Sequence, residues 1–127
     1  MDHNITPIVT EIAANALVEK CHGAAVAAGW WTPERAANPF AFSNALMLAV
    51  SELAEAMEGD RKSIMDDHLP HRPMREVELA DAVIRICDLA GAFGLDLGGA
   101  IAEKLAYNAS RADHKPENRA KAGGKAY

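Results

Sequence analysis

The chain has 127 residues and a formal charge of -5, with 50% hydrophobic, 24% charged and 6% aromatic residues. That is the size of one domain, too apolar for a disordered chain, and its 26 alanines favour helices over a β-sandwich. No apolar run approaches the ~20 residues that span a bilayer. Two cysteines, Cys21 and Cys87, make neither a disulfide framework nor a four-thiolate zinc site. The N-terminus carries an acid where a signal peptide carries basic residues, so a cytoplasmic protein with no membrane or nucleic-acid partner is expected.

Proline and glycine divide the chain. Thr6-Pro7, Thr32-Pro33 and Asn38-Pro39 each pair a good N-cap with proline at the first helical position, where the missing N–H costs nothing. Arg72-Pro73 repeats the proline without the cap, and Gly23, Gly29, Gly59, Gly91 and Gly94 read as helix ends. The predicted helices run from Pro7 to Ala28, fraying after His22, then from Pro39 to Glu58, from Pro73 to Ala90, and from Leu97 to Ala112. No stretch alternates as a strand does, so the expected class is all-α: one domain over residues 1–112 and a basic, flexible tail over 113–127. From Arg111 onward five basic residues face two acidic ones, which leaves an acidic body ahead of that tail.

The third predicted helix is apolar over roughly two thirds of its circumference at ~100° per residue, from Val77 through Ala90. It reads as buried on three sides, with a narrow polar strip of Glu78, Asp81, Arg85 and Asp88 on the fourth. On the second helix, Glu52 and Glu55 project from a face lined by Ala45, Leu48, Ala49 and Ala56. Carboxylates in apolar surroundings cost several kcal/mol unless something positive offsets them. Two such pairs, each spaced i to i+3, form an all-oxygen set suited to a hard cation such as Mg²⁺ or Mn²⁺. The same acids also suit a solvated surface, or pairing with Arg85 or Lys62.

The run Ser51-Glu52-Leu53-Ala54-Glu55, followed by Glu78-Leu79-Ala80-Asp81 and then Glu103-Lys104 and Asn108, resembles the MazG-like nucleoside triphosphate pyrophosphohydrolases. These are compact all-α enzymes related to the dimeric dUTPases and dCTPases, with the signature E-E-x-x-E followed by E-x-x-D. The match covers residues 41–111, and Ser51 replaces the signature's first glutamate. The resemblance implies a four-to-five-helix bundle of the all-α NTP pyrophosphatase type. It also implies Mg²⁺-dependent hydrolysis of a nucleoside or deoxynucleoside triphosphate to the monophosphate and pyrophosphate. Glu52, Glu55, Glu78 and Asp81 match the metal ligands, and Glu52 or Glu55 would receive the proton of the attacking water.

Lys104, Asn108 and Arg111 fall on one line of the last helix and form a candidate phosphate contact, with Lys62 a further one. The same residues also read as a solvated face. Trp30 and Trp31 are the only tryptophans, and an indole in a loop either stacks on a nucleobase or caps a core. His22 and Asn15 on the first helix are candidates for reading base edges. His68 and His71 read as part of a surface or lid loop over residues 60–72 rather than as metal ligands. Helices this apolar cannot all be covered in so small a chain, so a homodimer or homotetramer is expected. A ferritin-like di-iron protein needs Glu-x-x-His on two helices, and only Glu19-x-x-His22 is present. The alternative is a non-catalytic nucleotide-binding or helical regulatory protein on the same fold.

Overall fold

The computed structural model describes residues 5–111, 113 and 115–125. It is all-helical: α1 (Pro7–Ala27), α2 (Pro33–Ala37), α3 (Ala41–Lys62), α4 (Met74–Ala92), α5 (Leu97–Ser110) and α6 (Pro116–Arg119). The expected end of the last long helix, Ala112, lies outside the described residues. Among the described residues no helix is long and apolar enough to cross a membrane. The chain falls into two compact units, one of residues 17–95 and one of residues 1–16 with 96–127.

In the unit 17–95, α3 packs on α4, and α2 lies against α3. The α3 residues that are buried are Ala41, Ala45, Ala49, Glu52, Ala56 and Gly59, spaced by three or four, so they form one stripe along the helix. The buried residues of α4 are Glu78, Ala82, Cys87, Leu89 and Ala90. Small side chains let the two backbones approach closely, and Glu52 and Glu78 occupy positions that alanine fills elsewhere along the contact. Gly91 serves a similar close approach to α1: a Cβ there would lie 2.5 Å from His22 Cβ.

Of the expected caps, Thr32 holds and Asn38 is shifted. The Thr32 side chain accepts a hydrogen bond from Arg35 N at 3.2 Å and opens α2. Asn38 does not open α3. Its Oδ1 accepts from Phe40 N at 2.8 Å, which spends the side chain on a turn around Pro39, and the helix begins at Ala41. Gly23, Gly59 and Gly91 lie inside helices, whereas Gly29 and Gly94 lie beyond helix ends with positive φ. The first helix shows no break after His22.

The segment between α3 and α4 is tied down. Met65 and Pro73 form an isolated bridge, and Asp66 N donates to Arg72 O at 2.9 Å. The buried Asp66 carboxylate accepts from the backbone N–H groups of His68 at 2.9 Å and Leu69 at 2.8 Å, closing the turn that holds the two histidines.

In the other unit, the start of α1 meets the start of α5. Asp96 caps α5 by accepting from Gly99 N at 2.9 Å, and Asn15 donates to the same carboxylate while accepting from Gly98 N at 2.8 Å. A Cβ on Gly98 would lie 2.7 Å from the Asn15 amide, so glycine is what permits this contact.

The expectation that α4 is buried on three sides is overturned. Leu79, Val83, Ile84 and Ile86 are exposed, while Glu78 in the polar strip is buried. The α3–α4 contact takes Glu78 of the strip inward, and among the large apolar side chains of α4 these four are left outside while Leu89 is buried. Leu46, Val50, Leu53 and Met57 make a matching exposed row on α3.

Candidate functional site

Glu52, Glu55 and Glu78 converge. Each offers a carboxylate oxygen, and these oxygens all lie within 4.8 Å of one another. Glu55 is exposed, but Glu52 and Glu78 retain only 8% of their surface each, because both stand in the α3–α4 contact. Glu78 Oε2 is buried with no hydrogen-bond partner. Burial pushes the Glu78 carboxyl up to about 7, and the adjoining carboxyls of Glu52 and Glu55 add to the shift.

Arg85 is the local positive charge, and it belongs to Glu52: Nε donates to Oε1 at 2.6 Å. Neither Glu78 nor Asp81 takes it. Lys62 pairs with Glu58 one turn earlier at 2.8 Å and lies in the last turn of α3. Asp81 stands outside the three-carboxylate group, although Glu52 still acts on it. Burial raises its carboxyl first, the Glu52 charge raises it further, and Arg85 and His68 pull in the other direction. Ser51, where the signature has glutamate, turns back on its own helix and donates to Leu48 O at 2.6 Å.

Beside the carboxylates lies a cavity of about 540 Å³. Glu52, Asp81, Arg85 and Asp88 form its polar wall, and Cys21, Leu48, Ile84, Trp30 and Arg35 are among the remaining lining residues. Trp30 is largely exposed on this rim. Trp31 is half-buried, and its Nε1 donates to Asp88 Oδ1 at 2.9 Å. The Trp31 ring meets His22 and Phe93 edge-on, and the Arg35 guanidinium sits 4.0 Å over its centroid. His22 Nδ1 lies 2.9 Å from the same Asp88 oxygen. Of the three candidate base contacts in this unit, only Trp30 lines the cavity; Trp31 and His22 reach it through Asp88, which both hold.

Asn15, Lys104, Asn108 and Arg111 belong to the other unit. Both polar ends of the Asn15 amide are used in the α1–α5 contact. Lys104 and Asn108 line a shallow hollow of about 460 Å³ with Ala100, Ile101 and Leu105, and Asn108 Oδ1 is buried without a hydrogen-bond partner. Lys104 Nζ also lies 4.6 Å from the Tyr107 ring centre. Arg111 is engaged elsewhere, forked onto Asp113 by hydrogen bonds of 3.0 and 2.6 Å.

Three participants were not singled out by spacing or motif. In the sequence Arg35 is one charge two residues after Pro33, Asp88 is one member of a polar strip, and Asp66 is one acid of a loop. The signal for Asp66 was local: an Asp two and three residues ahead of free N–H groups and followed by Pro70 is a common turn former.

No protein-family model matches this chain, and no curated protein or solved structure gives a match.

Proposed function

We propose that the chain hydrolyses a nucleoside or deoxynucleoside triphosphate to the monophosphate and pyrophosphate, as a homo-oligomer acting on free nucleotides in the cytoplasm. The observation that carries this reading is the buried, unpartnered Oε2 of Glu78 within a three-carboxylate group. Three acids held together in partial burial are unfavourable alone, and Arg85 offsets only one of them. An all-oxygen set of this kind fits a hard divalent cation, magnesium or manganese, held by Glu52, Glu55 and Glu78 with Asp81 at its edge. When bound, such a cation supplies charge neutralisation of the phosphate oxygens and acidity to the attacking water.

The chain's own residues do the rest. Glu55, the exposed member of the group, is the proposed proton acceptor, since a base must reach solvent to exchange its proton. Arg85 lines the cavity beside Glu52, and its remaining N–H groups are the proposed donors to phosphate oxygens. Lys104 and Asn108, which share a hollow on α5, are further proposed phosphate contacts. The cavity rimmed by Trp30 and Arg35 would take the base. The exposed apolar rows on α3 and α4 support association with further copies, dimer or tetramer.

The test is an incubation with each of the eight common NTPs and dNTPs and Mg²⁺, with pyrophosphate and orthophosphate measured separately. Pyrophosphate release that disappears in Glu55→Ala and falls at least tenfold in Asp81→Asn supports the reading. Orthophosphate alone would point to another phosphatase chemistry. Nucleotide binding without turnover would favour a regulatory protein on this fold, a reading that fits Ser51, whose hydroxyl is spent on Leu48 O of its own helix.

A further inference from the structure

One carboxylate on the cavity wall has no part in the hydrolysis described above. Asp88 follows Asp81 by two turns on the same strip of α4. Its Oδ1 is doubly engaged, accepting from Trp31 Nε1 and lying against His22 Nδ1, both at 2.9 Å. Its Oδ2 takes no hydrogen bond among the described residues. The Asp88 side chain keeps only 16% of its surface and the residue lines the ligand-sized cavity, so its rotamer is held from one side while one acceptor oxygen is left over.

The surroundings suit a flat ring with a polar edge. Trp30 presents an exposed indole on the rim. Arg35 is held in place by donating to Trp30 O at 3.0 Å and by stacking on Trp31. A carboxylate accepts hydrogen bonds and donates none. At that oxygen a base bearing an exocyclic amino group gains a charge-assisted hydrogen bond, while a carbonyl at the same place meets repulsion.

We propose that Asp88 Oδ2 reads the nucleobase, and that the preferred substrate carries an exocyclic amino group on its base. Cytosine, adenine and guanine satisfy this; uracil, thymine and hypoxanthine do not. The assignment of a nucleotide rests on the triphosphate reading of the acidic group, but the recognition step needs no turnover. A site built to pair a polar group discriminates strongly against an analogue that lacks it. Because this cavity is open to solvent, the expected discrimination is about 10- to 100-fold rather than the larger ratios of closed sites.

The experiment compares matched pairs that differ at the amino group: CMP with UMP, AMP with IMP, and GMP with IMP. Binding to the full chain is followed by tryptophan fluorescence and calorimetry, and kcat/KM is measured on the corresponding triphosphates. The amino-bearing member should bind at least about tenfold tighter in one or more pairs. Asp88→Asn keeps an acceptor oxygen for Trp31 and His22 but puts an NH₂ group where Oδ2 stood, so the preference should vanish or reverse. Should that variant unfold, the wild-type pairs still decide. Equal binding of both members in every pair would overturn the proposal, as would an unchanged preference in folded Asp88→Asn. Discrimination in binding without pyrophosphate release would uphold base reading while removing the hydrolase reading.

Discussion

Arg85 Nε donates to Glu52 Oε1 at 2.6 Å, so the guanidinium and any bound cation draw on the same carboxylate. Replacing Arg85 by alanine removes the competitor and leaves a buried acid unpaired. Stability without metal should fall by about 1–3 kcal/mol. Affinity for Mg²⁺ should rise severalfold over the same substitution. Urea denaturation in chelator and a calorimetric magnesium titration check the two halves separately, and a loss of magnesium affinity would contradict the assignment of Arg85 as competitor.

Glu78 links stability to pH. Its carboxyl titrates near 4.5 when unfolded and at about 7 when folded, so between these values the folded state holds the extra proton. The stabilising proton is fully present below the lower value and is lost as pH rises through the upper one. In the absence of metal, stability should decline across this window by on the order of 1–2 kcal/mol, after allowance for solvent screening. The raised Asp81 carboxyl adds in the same direction. Glu78→Gln should flatten most of the decline, as read from urea midpoints on either side of neutrality. Millimolar Mg²⁺ should raise the melting temperature of the native chain, more so at the alkaline end, and should leave Glu78→Gln nearly unmoved.

The helix contacts at Gly91 and Gly98 leave no room for a methyl group. Alanine at 91 would meet His22 Cβ at 2.5 Å, and alanine at 98 would meet the Asn15 amide at 2.7 Å. Alanine ordinarily favours a helix over glycine by about 1 kcal/mol. Here the clash should prevail and cost roughly 1–3 kcal/mol net. Gly23→Ala, with nothing near the added carbon, should instead stabilise, which makes it the control in the same denaturation series.

The exposed rows Leu46, Val50, Leu53 and Met57 on α3 and Leu79, Val83 and Ile86 on α4 predict association. Sedimentation should show a dimer or tetramer. Leu53→Glu should shift it toward the monomer at micromolar concentration, because a charge in an apolar interface costs several kcal/mol. A monomer in the native chain would remove the oligomer from the proposed function.

Much of the architecture was legible because proline and its capping partner are local signals. Thr32-Pro33 opens α2, and the breaks around Gly29 and Gly94 lie where the residues suggest. Asn38-Pro39 misled because an Asn side chain serves a turn as readily as a cap. The larger miss was the orientation of α4. Periodicity locates apolar residues on a helix, but it does not say whether a neighbour packs against its leucines or its alanines. Here the alanine stripe of α3 claimed the face that carries Glu78, and Leu79, Ile84 and Ile86 went outward while Leu89 stayed buried. That Glu52 and Glu55 share one face of α3 followed from helix spacing. Asp81's position at the edge, the Arg85–Glu52 pair and the Asp88–Trp31 bond depend on how α1, α3 and α4 meet, which no spacing rule contains.

The alanine stripe has a last consequence. Methyl groups at 52 and 78 would complete the run from Ala41 to Ala56 and its counterpart on α4, giving a drier joint. Partly buried acids in such a joint should cost thermal robustness, a cost that the Arg85 pair offsets only at Glu52. An engineer seeking a tougher helical scaffold would begin by erasing them, and would test whether the joint becomes sturdier.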